Sequence, residues 1–359
     1  MKQVGSFTAV AAAALGTTAL TVPALHAQEA CSSMQVFLSI SPNHRENVME
    51  YVAPRLRDSM GVELVAEEIG SANMVERLQA QRDNPRVAIA HWDVAVGISA
   101  CDDGLCAPID LERAPNAERL FDWAFTVNDD GETTILATNA IGVGLLYNEE
   151  EFERAGLEPP TSWADLERDD LRGRISITAP QSTWGTAALV QWSKMGGGSE
   201  TDIDPGFEKA QSLMPAMHTV HTWSSELSNL MQLGEVWMGT TGSNMAPALR
   251  AAGLPVRWVM PEEGGPLVGG GLSLVAGGPC EDAAYAYLDL YYSSEFQLLR
   301  MRDGGLASPL PQAWEAMPED EVAAMDLSLD DFERLVDFDW RAINTHRPDW
   351  IQRWQREIR

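Results

Sequence analysis

The sequence predicts an α/β protein built on open, largely parallel sheets, and three observations predict it. Strand and helix signals alternate as β-α-β-α-β between residues 34 and 99. A second α/β unit opens after the long extended run Thr133-Thr-Ile-Leu-Ala-Thr-Asn139. Two later strands, 256–260 and 272–275, read as a pair that crosses back. In open sheets of this kind ligands sit at the carboxyl ends of the strands, so the loops after strands are the places to look for a site.

Each element has its own signal. Met34–Ile40 is an apolar strand, followed by Ser41-Pro42-Asn43, which is turn and N-cap chemistry. Val48, Tyr51, Val52 and Leu56 recur at helical spacing, and Gly61 stops that helix. Val62–Val65 is a second strand, Ser71 or Asn73 caps a helix through Gln81, and Asp93–Val96 is a third strand ending at Gly97-Ile98-Ser99. In the second unit Gly142–Tyr147 is a strand and Ser162 caps a short helix. Arg174–Thr178 is a strand, Trp184–Met195 a helix ended by glycines, Ser225–Leu233 a helix and Val236–Met238 a strand. Met245–Ala252 is a helix stopped by Gly253. Cys280–Tyr292 and 330–358 are helical.

The 359 residues carry 53 Asp+Glu against 25 Lys+Arg, a formal charge of −28. That balance argues against nucleic-acid binding, which needs clustered cations to neutralise phosphates. Beyond the N-terminus no apolar run reaches the roughly 18 residues of a membrane span. Residues 1–27 read as a secretory signal: Lys2, an Ala/Leu/Val run from Phe7 to Leu25, and a small residue at the cut, Ala27. Export implies a periplasmic protein. The dense carboxylates suit saline surroundings or reflect an Arg-preferring composition, and the sequence leaves both readings open.

Export also permits disulfides. Cys101-Asp-Asp-Gly-Leu-Cys106 closes a short loop around Gly104 and is the pair that the spacing favours. Four cysteines allow three connectivities, and Cys31 with Cys280 is only the remainder. A metal site is not expected: there is no close CxxC spacing, and His218-Thr-Val-His221 in an extended run puts its two rings on opposite faces.

The run Gly142-Val-Gly-Leu-Leu-Tyr-Asn148, Phe152, Ala155-Gly-Leu157, Pro159-Pro-Thr-Ser-Trp163, Asp165-Leu166 is the most specific stretch. With Gly234-Glu235, Arg250-Ala-Ala-Gly-Leu-Pro255, Pro261-Glu-Glu-Gly-Gly265, the 283–288 helix and the Trp350…Arg353-Trp354 tail, it resembles the bacterial extracellular solute-binding proteins of spermidine/putrescine-type ABC importers. Relatives of that branch take ferric iron, thiamine and aminophosphonates. The resemblance implies a type II periplasmic binding protein: two α/β lobes joined by two crossing strands, a cleft between them, and permease subunits in the inner membrane as partners. On this reading 28–137 begin lobe 1, 138–258 form lobe 2, 259–305 return to lobe 1, and the helices of 306–359 pack on the lobes. The chain is expected to act as a monomer without a cofactor.

The resemblance covers the fold more than the pocket. The polyamine binders place a Trp and an Asp where this chain has Val268 and Gly270, and another Trp where it has Gly242; their first-loop aromatic falls near His44. Those losses argue against a polyamine, which remains the same-fold alternative together with ferric iron. The ferric set needs paired tyrosines, but Tyr291-Tyr292 lies on a helix as core. The strand-end loops instead supply Ser41, Asn43, His44, Ser99, Ser182, Thr183, Trp184, Trp223, Ser243, Asn244 and Gly270 as candidate ligand-binding residues. Hydroxyls and N–H groups at a helix start suit an anionic or zwitterionic end; Trp184 and Trp223 are candidate walls. No nucleophile elbow, zinc-protease helix or phosphate loop marks an enzyme. A sensory partner of a membrane receptor would use the same cleft.

Overall fold

The computed structural model describes Met1, residues 31–41 and residues 43–358. Apart from Met1, the expected export signal lies outside the described residues.

The first sheet begins with β1 (Ser33–Leu38), β2 (Glu63–Glu68) and β3 (Val87–Asp93), where β2 and β3 flank β1 in parallel. Short β4 (Cys106–Ala107), β5 (Phe125–Val127) and β6 (Thr133–Ala137) follow. The chain then enters a second sheet with β7 (Ile141–Asn148), β8 (Ile175–Thr178), β9 (Thr219–His221), β10 (Met238–Gly242), β11 (Val256–Val259) and β12 (Gly265–Val268). It returns through β13 (Gly270–Val275), antiparallel to β3 and β6, and β14 (Leu335–Val336) later joins β12. The orders are β2-β1-β3-β13-β6-β5 and β14-β12-β7-β10-β8-β9, with β4 on β13 and β11 on β7. Two α/β lobes are therefore joined by two crossings, at 138–140 and at Gly269. The return falls at Gly269 rather than at 259, because β11 and β12 both pair with β7.

Alternation along β1 shows why the sheet carries helices on both faces. Met34, Val36 and Leu38 enter one core, while Phe37 points the other way onto Met74, Leu78 and Trp92. Full burial of each such side chain contributes about 2 kcal/mol. In the second lobe Trp163 and Phe207 are buried in one cluster with Trp354 of the C-terminal helix, Trp340–Glu357. That helix holds both lobes. Arg341 pairs with Asp102 at 2.9 Å, Asn344 Nδ2 donates to the Ala95 carbonyl at 2.7 Å, and Arg353 pairs with Asp204.

Two elements differ in kind from the sequence reading. The expected helical region 330–358 is broken: Asp330–Arg334 is a short helical turn, Leu335–Val336 is β14, and the long helix begins only at Trp340. Residues 93–96 are not a strand: β3 ends at Asp93, whose carboxylate accepts from Ala95 N at 3.0 Å and caps the helix Val94–Asp102. An Asp before an apolar run is an N-cap signal as well as a strand edge, and the preceding run Val87–Trp92 had the better claim to the strand. Cys101 on this helix is bonded to Cys106 in β4, and Cys31, before β1, is bonded to Cys280.

Candidate functional site

Between the sheets lies a cleft of about 560 Å³, lined by the loops that leave the carboxyl ends of β1, β2 and β3 on one side and of β8, β9 and β10 on the other. This volume suits a small organic molecule. The crossings form its base. Thr138 N donates to Gly270 O at 2.8 Å, and Val94 N donates to Gly269 O at 3.0 Å. A Cβ on Gly269 would stand 2.2 Å from the Asn139 carbonyl, so only glycine lets the two crossing segments approach this closely.

Seven of the candidates line this cleft: Ser41, Ser182, Thr183, Trp184, Trp223, Asn244 and Gly270. Ser182 caps the helix Thr183–Met195, its Oγ accepting from Trp184 N at 3.2 Å. Trp223 is 63% exposed and stands free at the rim, at the start of the helix Ser224–Gln232. Asp93, Asn139, Gln181 and Ser71 also line the cleft and were not singled out from sequence. Asp93 could have been found from its N-cap position, and Asn139 from its place in the crossing run.

Four candidates lie elsewhere, each for a local reason. Asn43 is exposed and donates from Nδ2 to the Asp303 carbonyl at 3.3 Å. His44 turns into the core, where its ring meets Ser39 O at 3.3 Å and the Tyr291 hydroxyl at 3.2 Å. Ser99 sits on the helix that replaces the expected strand end, accepting from Asn344 at 2.9 Å. Ser243 is buried, its hydroxyl taken by Gly142 N at 3.3 Å. His221 is likewise internal, between Ser176 and Thr178, while His218 stands beside Glu235. Tyr291 and Tyr292 are fully buried, the latter donating to the carbonyls of Leu136 and Ala137.

The electrostatics of the cleft are one-sided. Among its described lining residues there is no Lys, Arg or His, and Asp93 is the only carboxylate. Burial pushes the Asp93 carboxyl above its ordinary value, while the Thr183 side chain and the charge of Arg347 pull it back. Arg347 donates to the Gln181 carbonyl at 3.0 Å. Two side-chain oxygens of the lining, Gln181 Oε1 and Asn244 Oδ1, are buried without a hydrogen-bond partner. The first lobe thus offers a carboxylate. The second offers hydroxyls, amide oxygens and the N-terminus of Thr183–Met195, which carries partial positive charge; the start of Ser224–Gln232 is already met by Glu226, whose Oε2 accepts from Thr222 N at 2.7 Å and Trp223 N at 3.1 Å.

The Trp lost from the polyamine pattern at Gly242 has a physical counterpart. A Cβ there would lie 3.0 Å from the Trp184 ring and 2.7 Å from Ile141. Trp184 occupies the space from another loop, so the wall is aromatic although the expected position is glycine.

A smaller cavity of about 230 Å³ shares Asn139, Gly269 and Gly270 with the cleft. Trp123, Phe125, Phe338 and Trp340 wall it together with Asp337, Asp339 and Arg341.

Comparison with known proteins agrees with this architecture. A protein of Haemophilus influenzae is 23% identical over 296 residues, 81% of each chain. The spermidine/putrescine ABC transporter substrate-binding protein PotD of Streptococcus pneumoniae superposes with a TM-score of 0.75 at 16% identity, covering 91% of this chain and 100% of its own. The periplasmic binding protein AfuA of Actinobacillus pleuropneumoniae, with fructose-6-phosphate bound, gives a TM-score of 0.69 at 21% identity over 91% of this chain and 98% of its own. At these identities the structures show the two-lobed periplasmic binding fold. Residues 50–326 match the family described as bacterial extracellular solute-binding protein, and with three quarters of its length so matched the chain belongs to that family.

Proposed function

We propose that this chain is the periplasmic substrate-binding component of an ABC importer, which captures a small polar organic solute and delivers it to permease subunits in the inner membrane. The observation that carries this reading is the cleft, walled by strand-end loops of both lobes and crossed at its base by two short segments. A solute touching both walls favours the closed arrangement, and a permease that recognises that arrangement responds only to loaded protein. The chain works as a monomer, and covalent chemistry has no place in this cycle.

The lining favours a zwitterion. An ammonium meets the Asp93 carboxylate and the orphaned amide oxygens, and the opposite, anionic end meets the backbone N–H groups of the helix start at Thr183. Trp184 and Trp223 cover the carbon skeleton between them.

The test is a thermal-shift screen of residues 28–359 against amino acids, betaines, aminophosphonates, polyamines, thiamine, sugar phosphates, simple sugars and ferric citrate. A ligand at about 100 times its dissociation constant adds about 2.7 kcal/mol of stability. Shifts are expected from zwitterions. A response to polyamines or sugar phosphates alone would keep the importer reading and replace the zwitterion, and a blank for the whole panel would count against solute capture.

A further inference from the structure

The smaller cavity, of about 230 Å³, lies beside both crossings and is a different space from the solute cleft. Asn139 of one crossing and Gly269 of the other line it, together with β5 and residues 337–341, where the C-terminal helix begins. None of the described loop residues after β1, β8 or β9 does. Trp123, Phe125, Phe338 and Trp340 give it four aromatic walls. Phe338 and Trp340 are buried with ring centroids 6.4 Å apart, and Trp123 is braced by Phe121 at 6.1 Å and Phe332 at 5.6 Å. An apolar cavity of about 150 Å³ takes up benzene, so this one has room for a ring and a short chain.

The charge in these walls is not balanced. Asp337 lines the cavity, and its carboxylate accepts only from the neighbouring Phe338 N, at 2.9 Å, among the described residues. The two cations nearby are already engaged. Arg341 pairs with Asp102 at 2.9 Å and donates to Val127 O at 2.9 Å, and Lys194, 5.1 Å from the Phe338 ring, pairs with Glu200 at 2.7 Å. Asp339 adds a further carboxylate, which accepts from Ala342 N at 3.0 Å. Four acids therefore stand against two bases, and burial pushes the Asp337 carboxyl above its ordinary value.

A carboxylate without a cation, next to aromatic faces, is the chemistry that holds an organic ammonium. A hard metal ion needs about six oxygen ligands, which four rings do not supply. A neutral guest would leave Asp337 uncompensated, and an anion would add to the excess. The single free carboxylate suits one ammonium rather than a polyamine, and the flat walls suit a ring. Trp123 Nε1 is buried without a hydrogen-bond partner, and the face of a bound ring can accept from it weakly.

We propose that this cavity is a second ligand site, for an arylalkylammonium whose cation rests on Asp337 and whose ring lies among Trp123, Phe125, Phe338 and Trp340, separate from the cleft of the transported solute.

The test is calorimetric titration of residues 28–359 with phenethylammonium and with its neutral isostere, phenethyl alcohol. It compares the wild type, Asp337→Asn and Asp93→Asn, the last of which removes the carboxylate of the solute cleft. The wild type and Asp93→Asn are expected to bind the amine with similar affinity. Asp337→Asn, and the alcohol on the wild type, are expected to show a loss of about 10-fold or more. Amine affinity unchanged in Asp337→Asn, equal affinity for the alcohol, or no amine binding by the wild type would each overturn the proposal. Neither ligand is the transported solute, so a blank in the solute screen leaves this outcome readable. Should Asp337→Asn fail to fold, crystals of the wild type soaked in para-bromophenethylammonium decide. An anomalous bromine peak between Trp123 and Phe338 supports the site, and a peak in the solute cleft alone overturns it. A peak at the site without a titration signal is binding at crystal concentration only, and overturns it as well.

Discussion

His221 and Ser176 share a hydrogen bond of 2.7 Å in the interior of the second lobe, between Nδ1 and Oγ, while the opposite ring nitrogen lies 3.0 Å from Thr178 Oγ1. Burial lowers the His221 pKa from 6.5 to about 4. The folded chain therefore keeps this ring neutral where the unfolded chain protonates it. Stability from this group is complete above pH 6.5 and is lost as pH falls toward 4, by about 3 kcal/mol in all. His44 and His91 act with the same sign. Melting temperature should fall on acidification through this window, and His221→Gln should flatten part of the slope.

The two disulfides differ in what they constrain. Cys31–Cys280 closes 249 residues and Cys101–Cys106 only 5. The chain-entropy estimate gives about 5 kcal/mol for the first and about 2 kcal/mol for the second. Paired serine substitutions, melted separately, should rank in that order.

Asp93 is expected to anchor the cationic end of the solute. Asp93→Asn keeps the side-chain oxygen that caps the following helix and removes the charge, so affinity should fall by about 10- to 100-fold, the value of a hydrogen bond to a charged group. Calorimetry with the solute found in the screen measures it. An unchanged affinity would remove Asp93 from the site.

Ser182 and Thr183 are neighbours with separable roles. Ser182→Ala removes a helix cap and should cost about 1 kcal/mol of stability. Thr183→Ala removes a hydroxyl beside Asp93 and should weaken solute binding while leaving the melting temperature of the free protein within a degree or two. Melting curves and titrations on both variants distinguish the two effects.

Gly242→Ala should displace Trp184, since its new methyl would lie within 3.0 Å of that ring and of Ile141. Overpacking of this kind costs about 1–3 kcal/mol. A shift in tryptophan emission together with a lower melting temperature would report it.

The parallel strands and their helices were legible because their apolar patterns repeat at distinct periods, and the family run at 142–166 fixed the order of the second lobe. The site was legible where a loop follows a correctly read strand, as at Ser182 after β8. It was not legible at Asp93, where an acid followed by Val-Ala-Val reads equally as a strand edge and a helix cap, and the error carried Ser99 with it. His44 and Ser243 were misjudged for another reason. Nothing local says whether a polar residue after a strand turns outward to a cleft or inward to Tyr291 or the Gly142 amide. Those choices are made by partners 247 and 101 positions away.

The strand order has a consequence for how the chain reaches this state. β1, β2 and β3 open the first sheet, but β13, which joins β3 to β6 in its middle, comes from residues 270–275. Except for the edge strand β14, the second sheet comes from one uninterrupted stretch, 141–268. A chain made from its N-terminus onward thus completes the later half of its architecture before the earlier half. The opening strands must wait, partly unpaired, until the return segment arrives, and the bond from Cys31 to Cys280 is then the seal on the last seam to close.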